Sequence, residues 1–310
     1  MSLEVGSLAM SVPAVAIAGR PTISERLGAY VALTKPRIIE LLLITTLPAM
    51  ILAQGGMPGV WLMIATLLGG TLAAGGANAI NMFVDRDIDK LMNRTAKRPL
   101  VTGVIAPRNA LIFAVKLEVV AFVELWAWVN LLSAALAVSA TLFYVFIYTL
   151  WLKRTSKQNI VIGGAAGAMP VLVGWAAVTN SLAWAPIVLF AVIFTWTPPH
   201  FWALAFKYKD DYEAASVPML PVVATFRRTA IEILVYTLIM VGFTLFLAPV
   251  AHLGALYLLS AALLGTGFVA MSVRLWMQAT PKASMQLFSY SITYLALLFT
   301  VIAVDVFVQR

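Results

Sequence analysis

Three polar residues at the end of an apolar stretch have the spacing of a metal site. Asn81, Asp85 and Asp89 follow one another at intervals of four residues, so on an α-helix each lies only about 40° round from the last and they form one stripe. Asp87 would point the other way. Oxygen ligands in a row suit Mg²⁺, which binds one or two carboxylates together with substrate phosphates. The alternative interpretation is an ordinary solvated helix end.

Three cations follow the stripe within a few residues. They are Arg94, Lys97 and Arg98, in the segment Arg94-Thr-Ala-Lys-Arg-Pro-Leu100. Acids alone would repel a diphosphate, whereas acids with Mg²⁺ attract it and offset the charge of a leaving group. Mixed acid and base at one helix end therefore favours a metal-diphosphate site. The same cations are also compatible with a purely topogenic role in a membrane protein.

The composition of the chain determines which elements must position these residues. Of 310 residues, 62% are hydrophobic and 11% charged, and the mean hydropathy is +0.95, whereas soluble proteins have about 25% charged residues. This excludes a cytosolic enzyme, a nucleic-acid-binding domain and a secreted module, and it predicts a polytopic membrane protein. The absence of cysteine excludes disulfides, Cys-ligated zinc and iron–sulfur clusters. The net charge of +8 then indicates membrane topology and anionic ligands.

Nine apolar stretches are long enough to cross a bilayer. They lie at about 38–54, 60–84, 109–129, 131–151, 160–178, 184–206, 229–250, 253–277 and 285–308. With this count, every Lys and Arg except Arg310 falls on one side, which the positive-inside rule makes cytoplasmic. We therefore predict a multi-pass protein of the cell membrane with its N-terminus inside and its C-terminus outside. Residues 1–30 are predicted to be a disordered tail, and residues 31–310 a single domain.

A second acidic cluster follows the sixth apolar stretch, on the same side as the first. It contains Asp210, Asp211 and Glu213, and of these we favour Asp211 for the site because it lies four residues after Lys207 and would share its helical face. Asp210 and Glu213 are expected to be solvated. The economical interpretation is a bundle in which the two acidic loops face each other over one cavity.

The pattern N-x-x-x-D-x-x-x-D followed by R-T-x-x-R-P-L resembles the UbiA-type intramembrane prenyltransferase superfamily, over nearly all the chain after about residue 28. The resemblance implies an all-α bundle of nine transmembrane helices, with a cytoplasm-facing cavity that binds an isoprenyl diphosphate through Mg²⁺. The segment Trp196-Thr-Pro-Pro-His-Phe-Trp202 resembles the haem O synthase branch, as do segments 33–37, 148–154, 158–167 and 217–222. Lys207 stands where quinone-forming relatives carry the first acid of their second motif.

This branch implies a particular reaction and particular roles for residues. A farnesyl group passes from farnesyl diphosphate to a vinyl group of protohaem IX (haem B), water adds, and haem O and diphosphate form on the way to haem A. The resemblance leaves open whether a haem A synthase docks on the chain. It assigns Mg²⁺ to Asn81, Asp85 and Asp89, with help near Asp211. The diphosphate would bind Lys35, Arg94, Lys97, Arg98, Tyr148, Lys153 and Lys207, and the haem would bind Trp196, His200 and Trp202.

Several of these residues also have simpler interpretations. Consecutive prolines are expected to break the helix before His200. The His200 imidazole would then ligate the haem iron or orient the haem propionates. The simpler interpretation is that it bonds a carbonyl freed by the helix break. Lys153 and Lys35 would serve equally as cytoplasmic anchors, and Pro36 fits the first position of a helix. Asp305, near the outer end of the last stretch, is predicted to reach towards the membrane surface rather than to take part in chemistry.

Two other functions compete with haem farnesylation. Prenylation of a quinone-precursor ring is the alternative within the superfamily, and the Pro-Pro-His-Phe-Trp run argues against it. A membrane transporter is the alternative from another class, but transporters usually place polar residues at mid-membrane on broken helices. Here acid and base concentrate at one face, which favours interfacial chemistry on an amphiphile.

Overall fold

The computed structural model describes residues 22–309, without the side chains of residue 38 and residues 41–43, and this part of the chain is all-helical. The remaining residues, including most of the predicted tail and Arg310, lie outside the described residues. The helices are α1 (Ile23–Thr34), α2 (Pro36–Gln54), α3 (Val60–Val84), α4 (Pro107–Trp128), α5 (Leu131–Thr155), α6 (Asn159–Thr179), α7 (Trp184–Lys207), α8 (Lys209–Ala214), α9 (Leu220–Val223), α10 (Phe226–Val250), α11 (Ala255–Gln278) and α12 (Pro281–Val308).

Within residues 22–309, each predicted apolar stretch corresponds to a long helix, and the bounds differ by at most about four residues. Seven of these helices, α3, α5, α6, α7, α10, α11 and α12, are long and apolar enough to cross a membrane. In α2 the apolar stretch Ile44–Gln54 is shorter, and α4 contains four charged residues. The polytopic all-α class is therefore confirmed, while nine spans stays a prediction.

The N-terminal part of the described chain is ordered by a helix cap. Thr22 and Glu25 form a reciprocal capping box at the start of α1, so residues 23–30, which we assigned to the tail, form most of this helix. At its end Lys35 adopts a left-handed backbone conformation (φ 54°), and Pro36 occupies the first turn of α2 as predicted. The turn at Lys35 directs the chain from α1 into α2 beside the end of α3.

Helix α7 is the central helix of one half of the bundle and packs against α6, α10 and α12. The prediction that Pro198 and Pro199 break it is wrong, because α7 runs without interruption from Trp184 to Lys207. Each proline removes one backbone hydrogen bond, but packing against neighbouring helices sustains such helices in membranes. Thr195 and Thr197 donate to Ala191 O and Ile193 O at 2.6 and 2.9 Å, and not to the carbonyls of residues 194 and 195 that the prolines leave free.

Asp305 joins two helices instead of reaching towards the surface, so that prediction is also wrong. Its carboxylate is 1% exposed and accepts from the backbone N–H groups of Gly254 (2.7 Å) and Tyr257 (3.0 Å), and from the side chain of Gln309. The first N–H groups of a helix have no partners within that helix. An acid from α12 that meets the start of α11 therefore finds donors and a favourable helix dipole.

We expect Asp305→Ala to destabilise the protein by about 1–3 kcal/mol, since two backbone donors lose a charged acceptor. Thermal unfolding in detergent would measure the loss. The control is Glu232→Ala, which removes an ion pair with Arg228 one turn away on the exposed start of α10 and should cost about 0.5 kcal/mol or less. Equal melting temperatures for the two variants would contradict this account of Asp305.

Candidate active site at the end of helix α3

Asp85 is the C-cap residue of α3 and lies at the centre of a buried cluster of charges. It is 0% exposed, and its Oδ2 accepts from Asn81 Nδ2 (2.8 Å) and from Lys153 Nζ at the end of α5. Arg154 approaches Oδ1 to 3.6 Å, but Oδ1 accepts no hydrogen bond. The buried carboxylate therefore retains one oxygen available to a ligand.

Asp89 stays next to Asp85 although α3 ends at Val84. It lies in the 3₁₀-helix Ile88–Lys90, so the predicted single helical stripe is wrong for its last member. The four-residue spacing survives because the backbone N–H of Asp89 bonds Asp85 O and that of Asp85 bonds Asn81 O, both at 2.9 Å. Asp89 is 1% exposed, and Arg98 Nη1 bonds both of its oxygens at 2.8 and 2.6 Å.

Asp87 faces away from this pair, as the helical spacing predicts. Its side chain is 60% exposed, and the guanidinium of Arg154 bonds both of its oxygens at 2.7 Å. That charge-assisted pair holds the pKa of Asp87 well below its usual range. Asp87 and Arg154 therefore form an outward pair beside the buried cluster.

Lys35 completes the cluster from the turn between α1 and α2. Its Nζ donates to Asn81 Oδ1 at 2.7 Å, and burial, with Arg98 and Lys153 nearby, lowers the pKa of Lys35 to about 7. Three cations, Lys35, Arg98 and Lys153, thus meet two buried carboxylates. This set of cations is suited to an anion. Lys35 and Lys153 both belong to the buried cluster, and that they bind diphosphate stays a prediction.

The donor set at the end of α3 fits Mg²⁺ with a phosphate ligand. Within residues 22–309 no three His, Cys, Asp or Glu side chains form a group that could enclose a metal. Mg²⁺ does not require such a cage, because it binds one or two carboxylates together with substrate phosphates and water. The unpartnered Oδ1 of Asp85 is one such donor. The nearby oxygens of Asn81 and Asp89 accept from Lys35 and Arg98 and would exchange these partners for the ion.

Asp211 joins the two acidic loops by hydrogen bonds. Oδ1 accepts from the backbone N–H and the side-chain amide of Asn93 (3.1 and 3.2 Å), and Oδ2 accepts from the backbone N–H of Arg94 (3.0 Å). Both oxygens are therefore occupied by the first loop. Asp211 does not share a helix with Lys207, because α7 ends at Lys207 and α8 begins at Lys209.

The loops line an open cavity of about 450 Å³ between them. Arg94 lies over the rings of Tyr208 and Tyr212 at 5.1 and 5.8 Å, and Lys207 lies 5.6 Å from the Tyr208 ring. Burial raises the pKa of Tyr212, which keeps this phenol neutral beside the cations. The prediction of two loops facing one cavity thus agrees with the structure, including the exposed position of Asp210.

Two further residues predicted to bind diphosphate differ in their surroundings. Tyr148 stacks on Tyr144 at 5.3 Å, and it is adjacent to Thr149, whose hydroxyl accepts from Asn81 Nδ2 at 3.1 Å. Gly163 of α6 leaves room for the Tyr148 ring, since a Cβ there would overlap it. Lys97 is exposed and makes no ion pair within the described chain. Tyr148 therefore adjoins the cluster, and Lys97 does not.

His200 forms a second site on the opposite side of α7 from Trp202. Its ring stacks on Trp196 at 4.2 Å and on Phe288 at 4.7 Å, and Nδ1 bonds Ser291 Oγ at 2.7 Å. His200 thus bonds a side chain of α12 and not a freed carbonyl. Trp202 packs on Tyr236 of α10 at 5.6 Å because two residues along a helix turn it by about 200°.

Sequence reasoning missed the residues that hold the predicted ones in place. Asn93 and Ser291 lie outside the motifs named above, and Thr149 lies within segment 148–154 but was given no role. Their contacts follow only from the helices and loops that bring them to Asp211, His200 and Asn81. The ion pair between Arg154 and Asp87 also has no counterpart in the sequence pattern. Only the packing of α3 against α5 reveals it.

Comparison with known proteins places this geometry in a family. Residues 42–300 match the UbiA prenyltransferase family. A protein named protoheme IX farnesyltransferase from Clavibacter michiganensis subsp. michiganensis is 52% identical over 286 residues, covering 91% of this chain and 94% of the relative. A protein of that name from Parafrankia sp. is 54% identical and covers 90% of this chain and 90% of its own length. Another from Streptomyces avermitilis is 50% identical and covers 94% of this chain and 97% of its own length.

Solved structures share the fold at low sequence identity. A digeranylgeranylglyceryl phosphate synthase superposes with a TM-score of 0.75 at 16% identity, covering 91% of this chain and 99% of its own. A UbiA homologue from Aeropyrum pernix K1 has a TM-score of 0.66 at 18% identity, covering 87% and 98%. Another, from Archaeoglobus fulgidus bound to GPP and Mg²⁺, has a TM-score of 0.58 at 16% identity, covering 88% and 99%.

We expect Asp211→Ala to release the first loop, because the N–H groups of Asn93 and Arg94 lose their acceptor. Hydrogen bonds to charged groups contribute about 1.5–3 kcal/mol, so amide exchange at these two positions should speed up about tenfold or more. Hydrogen–deuterium exchange of the purified protein would measure this. Asp210→Ala, at the exposed neighbour, should leave the exchange unchanged, and equal rates in both variants would contradict the link.

Proposed function

The chain belongs to the UbiA prenyltransferase family, and on that basis we propose that it transfers a farnesyl group from farnesyl diphosphate to a vinyl group of protohaem IX, giving haem O and diphosphate. The observation that carries this proposal is the identity of about half of all residues, over nearly full length, with proteins named protoheme IX farnesyltransferase. The charged cluster and the aromatic histidine site supply the two kinds of binding that such a reaction needs.

The diphosphate binds where cations exceed acids. Lys35, Arg98 and Lys153 surround Asn81 and the two buried carboxylates, while Arg94 and Lys207 line the neighbouring cavity. These groups are already in place in the folded protein, so they stabilise charge on the leaving group without reorganisation. A guanidinium held over two phenol rings is well suited to binding two phosphate oxygens at once.

Asp85 would hold Mg²⁺ through its unpartnered Oδ1, with oxygens from Asn81 and Asp89 beside it. The binding of GPP and Mg²⁺ by the Archaeoglobus fulgidus homologue supports this use of the fold. When bound, the ion would offset the negative charge that develops on diphosphate as the carbon–oxygen bond breaks. Asp211 would not bind the ion directly, because its oxygens accept hydrogen bonds from Asn93 and Arg94. Its role would be to position Arg94 over the cavity.

The carbon chemistry requires no nucleophilic side chain. As diphosphate leaves with the bonding electron pair, positive charge develops on the allylic carbon of the farnesyl group, and the π electrons of a haem vinyl group form the new carbon–carbon bond. Water then adds to the second vinyl carbon and loses one proton. Apolar helix surfaces around the cluster would exclude water from the first cation, and Tyr144 and Tyr148 provide an aromatic wall beside Thr149.

The acceptor would lie at the His200 site, between α7 and α12. Trp196, His200 and Phe288 form an aromatic stack, and its free edge at His200 would face the flat, apolar body of a porphyrin. Trp202 is excluded from direct contact because it faces α10. With the acidic loops on the cytoplasmic face of the cell membrane, a diphosphate would enter from water while the farnesyl chain and haem remain in lipid.

The experiment that tests this function uses purified protein in detergent with haem B, farnesyl diphosphate and Mg²⁺, and detects the products by mass spectrometry. We expect a hydroxyethylfarnesyl haem that is absent when Mg²⁺ is chelated. Asp85→Ala should reduce the rate about 10²-fold or more, whereas Asp87→Ala, an exposed acid in the same segment, should reduce it less than about tenfold. Prenylation of a hydroxybenzoate without any haem product would instead indicate a quinone-branch enzyme.

Arg94→Lys should raise the KM for farnesyl diphosphate about tenfold and leave the KM for haem B unchanged. The reason is that an ammonium cannot reproduce the planar, two-pronged contact of a stacked guanidinium. Steady-state kinetics with each substrate varied in turn would test this. Arg86→Lys is the matched control, since Arg86 is exposed and lies over Phe83 outside the cavity. A uniform effect on both KM values would contradict a diphosphate contact at Arg94.

A further inference from the structure

The hydroxyl of Ser291 determines which nitrogen of His200 carries the proton. Ser291 Oγ lies 2.6 Å from the backbone oxygen of Phe288 and donates to it. A hydroxyl has a single hydrogen, so in the 2.7 Å contact with His200 Nδ1 the imidazole must be the donor. The reverse assignment would leave two oxygens 2.6 Å apart without a hydrogen between them. Neutral His200 therefore has its proton on Nδ1 and its free electron pair on Nε2.

The same neighbours prevent the ring from turning. Trp196 stacks on the imidazole at 4.2 Å and 18°, and Phe288 stacks at 4.7 Å and 30°. Two rings cannot both stack on one face of an imidazole at these distances, so the ring is held between them. Trp196 Nε1 also donates to Ser291 O at 2.9 Å, which ties α7 to α12 at this point. The edge that carries Nε2 is the part of the ring left for a ligand.

The Nε2 atom is available to such a ligand. No residue within 22–309 forms a hydrogen bond with Nε2. The atom is also not fully buried, in contrast to the unpartnered indole nitrogen of Trp202. His200 as a whole is half-buried. A neutral imidazole with an open Nε2 and a hydrogen-bonded Nδ1–H is the usual form of a metal-ligating histidine.

The geometry points to Ser291 as a positioning residue that presents Nε2 of His200 to the iron of the haem acceptor. This inference rests on the proposed function, which makes haem B the second substrate. The Nε2 electron pair forms a coordinate bond to iron, and neither a proton nor an electron is transferred. By accepting from Nδ1–H, Ser291 fixes the tautomer and raises the basicity of the ligating nitrogen. The porphyrin is thereby held in one orientation relative to the farnesyl cation.

The test is a titration of the full chain in detergent with haem B alone, followed by the Soret absorption band. Wild type should show the shift of an imidazole-ligated haem, and Ser291→Ala should raise the Kd about tenfold or more, the usual cost of removing the partner of a metal-ligating histidine. Ser291→Thr keeps a hydroxyl and should bind within a few-fold of wild type. Ser284→Ala is the matched control, because Ser284 of α12 also donates to the carbonyl three residues earlier (Pro281, 2.8 Å) and should leave the Kd unchanged.

His200→Gly separates loss of the ligand from misfolding. It should lose the Soret shift and regain it with added imidazole, whereas a shift that persists in this variant without imidazole would overturn the proposal. A wild-type Kd and spectrum in Ser291→Ala would also overturn it. In steady state, Ser291→Ala should raise the KM for haem B and leave that for farnesyl diphosphate unchanged.

The two proposals fail in different ways. In one outcome, the wild-type protein forms farnesylated haem while its Soret spectrum is the same in His200→Gly. This result would overturn iron ligation and leave the function standing. A His200-dependent and Ser291-dependent spectrum, with no farnesylated product under any condition, would support ligation and overturn the transfer reaction.

Discussion

The buried carboxylates of Asp85 and Asp89 impose the strongest constraint on this protein. Both side chains are nearly inaccessible to water, and an ionised carboxylate in such a place is costly unless it is paired and hydrogen-bonded. Their partners come from separate parts of the chain: Lys153 from the end of α5 and Arg98 from the loop after α3. The need to pair two acids thus fixes these segments around the end of α3.

The same pairing prepares the site for an anion. Because Lys35 joins the cluster through Asn81, the positive charges exceed the buried negative ones, and the pKa of Lys35 is lowered to about 7. A bound diphosphate would relieve the repulsion among these cations. The pairing that stabilises the fold and the proposed binding of diphosphate would therefore depend on one set of residues.

Helix α7 connects this charged end to the aromatic site. Its last residue, Lys207, lines the same cavity as Arg94, and two turns earlier His200 lies between Trp196 and Phe288. The helix stays continuous through two prolines because helices pack against it on several sides. A continuous helix of this kind would hold the proposed diphosphate site and the proposed haem site at a constant separation.

The amino-acid sequence by itself determined the all-helical membrane class, the helix bounds to within a few residues and the acids, cations and histidine of the candidate site, because hydropathy and helical spacing are local properties. Tertiary structure alone decided that Asp211 bonds Asn93 instead of facing Lys207, that Asp305 caps α11, and that Ser291 bonds His200. In all three cases the hydrogen-bond partner lies far away in the chain. For Asp211, a helix end also falls between it and Lys207, the residue predicted to share its face. A hydrogen-bond partner depends on which helices pack together, and that packing is a property of the whole bundle.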